Sequence, residues 1–156
     1  MVEPSEYSTR VLRHFRQTFN AVKTHFQQVE KKAGIGGSQV WALSVIQNAP
    51  GIGVNDLATT MDIHQTTASN LVKVLLGLEL VKVEKEGPDR RAVQLYILPA
   101  GKVLLKRAPG PLTGVLPSAI SQLDLPTLKR LDRDLTRLLN LLSTNEKAAR
   151  TPLADI

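Results

Sequence analysis

LATTMDIHQTTASNLVKVL, residues 57–75, carries two helical periodicities separated by a break. The first runs to Met61. Asp62 and Ile63 interrupt it, and from His64 the apolar positions recur at Ala68, Leu71, Val72 and Leu75, three or four apart, which places them on one inward face. The outward face then holds Gln65, Thr66, Ser69, Asn70 and Lys73. Only Lys73 is charged. A helix face that merely meets water is richer in Glu and Lys. Short hydrogen-bonding side chains on an exposed helix suit base edges in a DNA major groove, where each pair shows a distinct pattern of donors and acceptors.

Upstream, Gly53 opens the first helix of the pair, VNDLATTM, and Asp56 in its first turn suits the positive helix end. Downstream, the second helix is expected over HQTTASNLVKVLLGLEL, residues 64–80. Two alternating stretches follow, LVKVE (80–84) and AVQLYIL (92–98), and pair as a hairpin across EGPDR. Asp89, Arg90 and Arg91 sit on its turn side. Two adjacent arginines that no core can hold point to a partner outside the chain: a phosphate, or the narrow minor groove with its deep negative potential. Asp89 is suited to orient an arginine by a charge-assisted hydrogen bond. A local salt bridge on an ordinary charged turn is worth little, and the helix pair in front of this turn favours the first reading. The outline is that of a winged helix-turn-helix.

The remaining chain frames this unit. Residues 5–33 read as one helix, capped by Ser5 and ended by Gly34 after Lys31 and Lys32. Its stripe of Tyr7, Val11, Phe15, Phe19, Val22, Phe26 and Val29 needs neighbours, from this chain or a second copy. Ser38 is expected to cap the short apolar helix QVWALSVIQ, with Trp41 in the core. Pro99 starts a helix that Pro109 and Pro111 interrupt. TGVLPSAISQL is helical but broken near Pro117. Asp124 caps a last helix with Leu128, Leu131, Leu135, Leu138 and Leu142 on a narrow seam close to coiled-coil spacing. The tail from Thr144 is polar and is expected to fray.

The 156 residues fit one domain with a helical extension for assembly. Twenty basic against fourteen acidic residues give a net charge of +6, and the pI is about 9.8. That balance favours an anionic partner, nucleic acid first. Cysteine is absent, which removes disulfides, thiolate zinc sites and thiol sensing and fits a cytoplasmic protein. No apolar run approaches 18 residues, so no membrane contact is expected, and MVEPSEYSTR lacks the shape of a signal peptide. His14 and His25 lie about 16 Å apart along one helix, too far to share a metal. With no phosphate loop and no nucleophile elbow, we expect neither catalytic residues, nor a metal, nor a cofactor, and no enzyme.

The sequence resembles the MarR family, the multiple antibiotic resistance type of bacterial transcription regulators. The family wing has the form D-x-R-x5-L-T-x-x-G, and Asp89, Arg91, Ile97, Leu98 and Gly101 fall on its spacing. LATTMDIHQTTASNLVKVL matches the family's helix-turn-helix register, and SQVW the start of its second helix, so the resemblance covers roughly residues 7–143. It implies a homodimer with interlocked terminal helices and a near-palindromic site on double-stranded DNA. It places Gln65, Thr66, Ser69 and Asn70 in the major groove, Lys73 on a phosphate, and Arg90 or Arg91 in the minor groove. It also implies release by a small aromatic or anionic effector, with Arg10, His14 and Trp41 as ligand-binding candidates on the right segments; the plainer reading, with Trp41 in the core and Arg10 and His14 as surface or dimer contacts, is favoured.

The chain departs from the family at several positions. His64 replaces a better helix cap. Asp62 and Glu79 stand where glycine is usual, so the chain at 77–79 is expected to turn differently, using Gly77. Asn70 replaces a common arginine and shifts base preference towards adenine. Leu98 replaces a threonine cap, partly compensated by Pro99. Pro109, Gly110 and Pro111 break a helix that members usually keep continuous.

The reading is therefore a mainly α protein with a small β-hairpin wing. A winged helix-turn-helix lobe spans 35–104, helical dimerisation regions span 1–34 and 105–145, and a flexible tail spans 146–156. The expected function is a homodimeric DNA-binding regulator, a repressor by preference. The alternative is a winged-helix module that docks a protein without sequence-specific DNA binding.

Overall fold

Proline has no N–H to lose at the first position of a helix, and its φ is already helical. Pro4 therefore begins α1, Pro4–Ala33, one residue ahead of the expected cap, and Ser5 lies inside the first turn. Gly34 closes α1 in the left-handed conformation, φ 79°, with its N–H on the Glu30 carbonyl. The computed structural model describes residues 3–85, 92–142 and 144–156.

α2, Gly37–Asn48, starts earlier than expected. Gly36 takes the cap position, and its N–H donates to Gln39 Oε1 at 3.1 Å. Ser38 is thereby a buried helical residue and not the cap. Val40, Ala42, Leu43 and Ile46 are almost wholly enclosed, so α2 is the central element of the core. α3, Val54–Met61, and α4, Gln65–Gly77, pack against each other and against α2. Ala68, Leu71, Val72 and Leu75 are buried, as their spacing predicts.

β1, Val81–Glu84, pairs antiparallel with β2, Gln94–Ile97, with Val81 opposite Ile97 and Glu84 opposite Gln94. A third segment joins them. Leu95 exchanges both backbone hydrogen bonds with Gly51 and Ile52, at 2.8 and 3.0 Å. The sequence shows this bridge poorly, because one paired residue between two turns leaves no alternation.

α5, Pro99–Arg107, follows β2 directly and buries Leu105 in the lobe. The boundary expected at 104/105 therefore falls inside a helix. α6, Val115–Ser121, is unbroken by Pro117. That proline is its third residue, where an N–H has no intrahelical partner anyway. α7, Leu125–Leu139, is capped as expected: Asp124 accepts from the Thr127 N–H at 3.3 Å and its hydroxyl at 2.6 Å.

Where a frayed tail was expected, the chain forms α8, Glu146–Ala149, and a 3-10 turn, Leu153–Asp155. Asn145 caps α8, accepting from the Ala148 N–H at 2.9 Å. Pro152 is buried, and Ser38 Oγ donates to Asp155 Oδ1 at 3.0 Å. The 3-10 turn packs on α1 and α2. No local pattern signals this, since the partner of Asp155 lies 117 residues away.

Candidate nucleic-acid interface

The turn between α3 and α4, and the turn after α4, are built alike. Each helix ends with a left-handed residue that lets two orphan carbonyls be satisfied. After α3 that residue is Asp62, φ 53°; the Ile63 N–H reaches back to the Ala58 carbonyl at 3.0 Å. After α4 it is Glu79, φ 57°; the Leu80 N–H reaches the Leu75 carbonyl and the Glu79 N–H the Leu76 carbonyl, both at 3.0 Å. In both motifs the flanking apolar pair, Ala58 with Ile63 and Leu75 with Leu80, is buried. The expected use of Gly77 is thus corrected. Gly77 stays helical, and Glu79 takes the strained conformation because only that register buries Leu80. Asparagine and aspartate tolerate this region better than glutamate does.

These turns fix how α4 is presented. Gln65, Thr66, Asn70 and Lys73 are exposed, Ser69 and Thr67 half-buried. The five residues of the expected reading face therefore share one side of α4. His64 stands at the N-cap without capping through its side chain. Its Nε2 is buried and has no hydrogen-bond partner among the described residues.

Asp89, Arg90 and Arg91 lie outside the described residues. The base of the wing is described. Lys82 Nζ pairs with Glu84 Oε1 at 2.8 Å and lies 5.6 Å from the Tyr96 ring centre. Its pKa is raised, first by the hydrogen bond to Glu84 and then by that group's charge. The Tyr96 hydroxyl donates to Gln94 Oε1 at 3.2 Å.

α8 brings residues that sequence reasoning missed. Lys147 and Arg150, with Glu146, line one cleft of about 660 Å³ together with His64, Gln65, Thr66 and Thr67. Arg150 also borders the α3–α4 turn beside Asn55, Thr59 and Asp62.

The ligand candidates are scattered within one chain. Arg10 and His14 are exposed, and the Arg10 guanidinium stacks on Tyr7 at 5.4 Å. Trp41 borders a small apolar cavity of about 30 Å³ with Phe26, Ser38 and Pro152. Phe26 is about 24 Å along α1 from Arg10 and about 18 Å from His14, at 1.5 Å per residue. His25, the third histidine, is buried against the Phe26 ring.

α7 has no buried residue. Its seam residues Leu131, Leu135 and Leu138 stay about 40% exposed. The N-terminal half of the α1 stripe is also uncovered, with Tyr7, Val11 and Phe19 half or more exposed, while Val29 at the other end is buried. Among the described residues no helix is long and apolar enough to cross a membrane.

Residues 33–92 match the model of the MarR family. The fold is similar to that of the multiple antibiotic-resistance repressor MarR from Listeria monocytogenes, at 21% identity, over 92% of this chain and 99% of that one, TM-score 0.53. It is similar to S. aureus MepR in a complex with DNA, at 20% identity, over 88% and 96%, TM-score 0.55. It is similar also to Streptococcus pneumoniae FabT in complex with DNA, at 14% identity, over 86% and 96%, TM-score 0.55. No curated protein matches the chain.

Proposed function

We propose, from the premise that the lobe at residues 33–92 belongs to the MarR family, that this chain is a DNA-binding transcription regulator acting as a homodimer. The observation that carries the reading is the face of α4. Gln65, Thr66, Asn70 and Lys73 are exposed on a helix whose other side is locked into the core. Such a face has donors and acceptors to offer base edges and nearly no charge to waste on water. Gln65, Thr66, Ser69 and Asn70 enter the major groove in this reading, and Lys73 meets a phosphate. Arg90 or Arg91 enters the minor groove in the same reading, and Asp89 serves to orient an arginine.

Dimerisation is supported by the uncovered leucines of α7 and the uncovered half of the α1 stripe. Apolar seams of that length are unfavourable in water and become a core when two copies interlock. A twofold dimer then reads two half-sites about one helical turn apart. Release by a small aromatic or anionic effector belongs to the same proposal, with Trp41, Arg10 and His14 as candidates. In one chain they are separated, so a pocket using all three needs both copies. Repression of a nearby promoter in the cytoplasm is the expected outcome.

The test is fluorescence anisotropy of the purified protein on duplex DNA from upstream of its own coding sequence, against a scrambled duplex, over a salt series. Two copies per site and a preference of roughly a thousandfold support the reading. Equal, weak and salt-steep binding to both duplexes sinks recognition of this upstream site and leaves two readings, a regulator of a distant promoter or a basic module whose partner is a protein.

A further inference from the structure

We propose that the C-terminal α8 extends the DNA-binding face, with Lys147 and Arg150 holding the phosphate backbone beside the start of α4. This rests on the DNA-binding reading above and adds a contact from outside residues 33–92.

α8 is ordered within itself and is anchored to the lobe through the segment that follows it. On one side Asn145 caps α8, and the Thr151 hydroxyl donates to the Lys147 carbonyl at 3.1 Å, so the turn is internally tied. On the other, Pro152 is buried and Asp155 accepts from the buried Ser38 hydroxyl of α2. α8 is thus tied to the core of the lobe from its C-terminal side. From there Lys147 and Arg150 line the same cleft as Gln65, Thr66 and Thr67.

Charge and exposure select the partner. Lys147 and Arg150 are exposed, and the ion pairs among the described residues are Lys82–Glu84 and Arg133–Asp134, neither of which uses them. Glu146 is the single carboxylate on the cleft, so two cations face one anion. Gln65 and Thr66 remain exposed with α8 in place. The short helix therefore lies beside the reading face and not over it. A duplex that seats its major groove on α4 brings a phosphate strand past the first turn of that helix. In the proposed complex that strand passes the cleft, where a guanidinium with an ammonium at the edge suits phosphate oxygens.

The experiment measures binding of wild type, Lys147→Gln/Arg150→Gln and Glu146→Gln to the upstream duplex and to the scrambled duplex, over a salt series. The double variant is expected to weaken both complexes alike, by about tenfold or more at moderate salt, because phosphate contacts carry no sequence information. Its slope of log affinity on log salt falls by about 0.9 for each phosphate that is no longer neutralised, up to about 3.6 for a dimer. Glu146→Gln is expected to tighten both complexes, a change that a folding defect cannot imitate. Wild type that binds while both variants bind identically overturns the role of α8 and leaves the regulator reading intact. Wild type that ignores duplex DNA overturns both.

Discussion

Gly101 passes so close under Leu80 that a Cβ on it would lie 2.5 Å from the Leu80 carbonyl oxygen. That oxygen cannot retreat, because it accepts from the Leu98 N–H at 2.9 Å and thereby joins the end of α4 to the start of α5. Gly101→Ala is therefore expected to destabilise the fold by about 2 kcal/mol, in the range of overpacked sites. Urea unfolding followed by circular dichroism measures it. A midpoint equal to that of the wild type would show that α5 can slide away from the strand.

Glu79 and Asp62 occupy equivalent left-handed positions, but glutamate suffers more there. Glu79→Gly is expected to stabilise by roughly 0.5–1 kcal/mol, net of the entropy glycine adds to the unfolded chain. Asp62→Gly is expected to change stability by less than half of that. The reverse order in denaturant titrations would remove the strain argument.

Asn70 and Lys73 are one helical turn apart on the exposed side of α4. They should fail in different ways. Asn70→Ala is expected to relax preference at one base pair per half-site, by about 1–3 kcal/mol of discrimination. Lys73→Ala should weaken all duplexes alike and reduce the salt slope by about 1 per half-site. Binding of both variants to a panel of single-base operator changes separates the two. Identical profiles would reassign the helix face.

Leu135 lies at the middle of the exposed α7 seam. Leu135→Glu is expected to convert the proposed dimer to a monomer that keeps its helical content, because the residue has little to hold within its own chain. Sedimentation velocity reads the mass and circular dichroism the helix. A dimer that survives the charge would mean that α1 alone makes the interface.

Asp124 has its pKa lowered, first by the hydrogen bond from the Thr127 hydroxyl and then by that from its N–H. A depressed carboxylate stabilises above its unfolded pKa, near 3.9, and loses that contribution as pH falls through the folded value. The gap in stability between wild type and Asp124→Ala is thus expected to be constant at neutral pH and to close below about pH 4. Thermal melts at a series of pH values follow it; a gap that persists in acid would assign the cap to packing.

The helix-turn-helix was legible because its signals are local. Ala68, Leu71, Val72 and Leu75 declare a buried face by spacing alone, and Asp124 declares its helix start by chemistry. The reading face of α4 follows from the same spacing, since what is not inward must be outward. Residues whose place depends on distant partners were hidden. Ser38 looks like a cap in any local window, and only Asp155 makes it a buried donor. Pro117 reads as a breaker until the helix start is known to lie two residues earlier. Glu79 reads as unable to turn left-handed until the burial of Leu80 decides the register. Lys147 and Arg150 carry no periodicity at all; their position comes from the anchoring of the segment behind them.

The hydrogen bond between Ser38 and Asp155 also sets an order of events during synthesis. At about 5–20 residues per second, roughly 6–23 s separate the making of one partner from the making of the other. Throughout that interval the flank of α2 with Trp41 stands open to whatever else is in solution. The segment that finally covers it also delivers α8 to its place. A newly made chain thus closes its apolar flank and sets Lys147 and Arg150 beside α4 in a single late step.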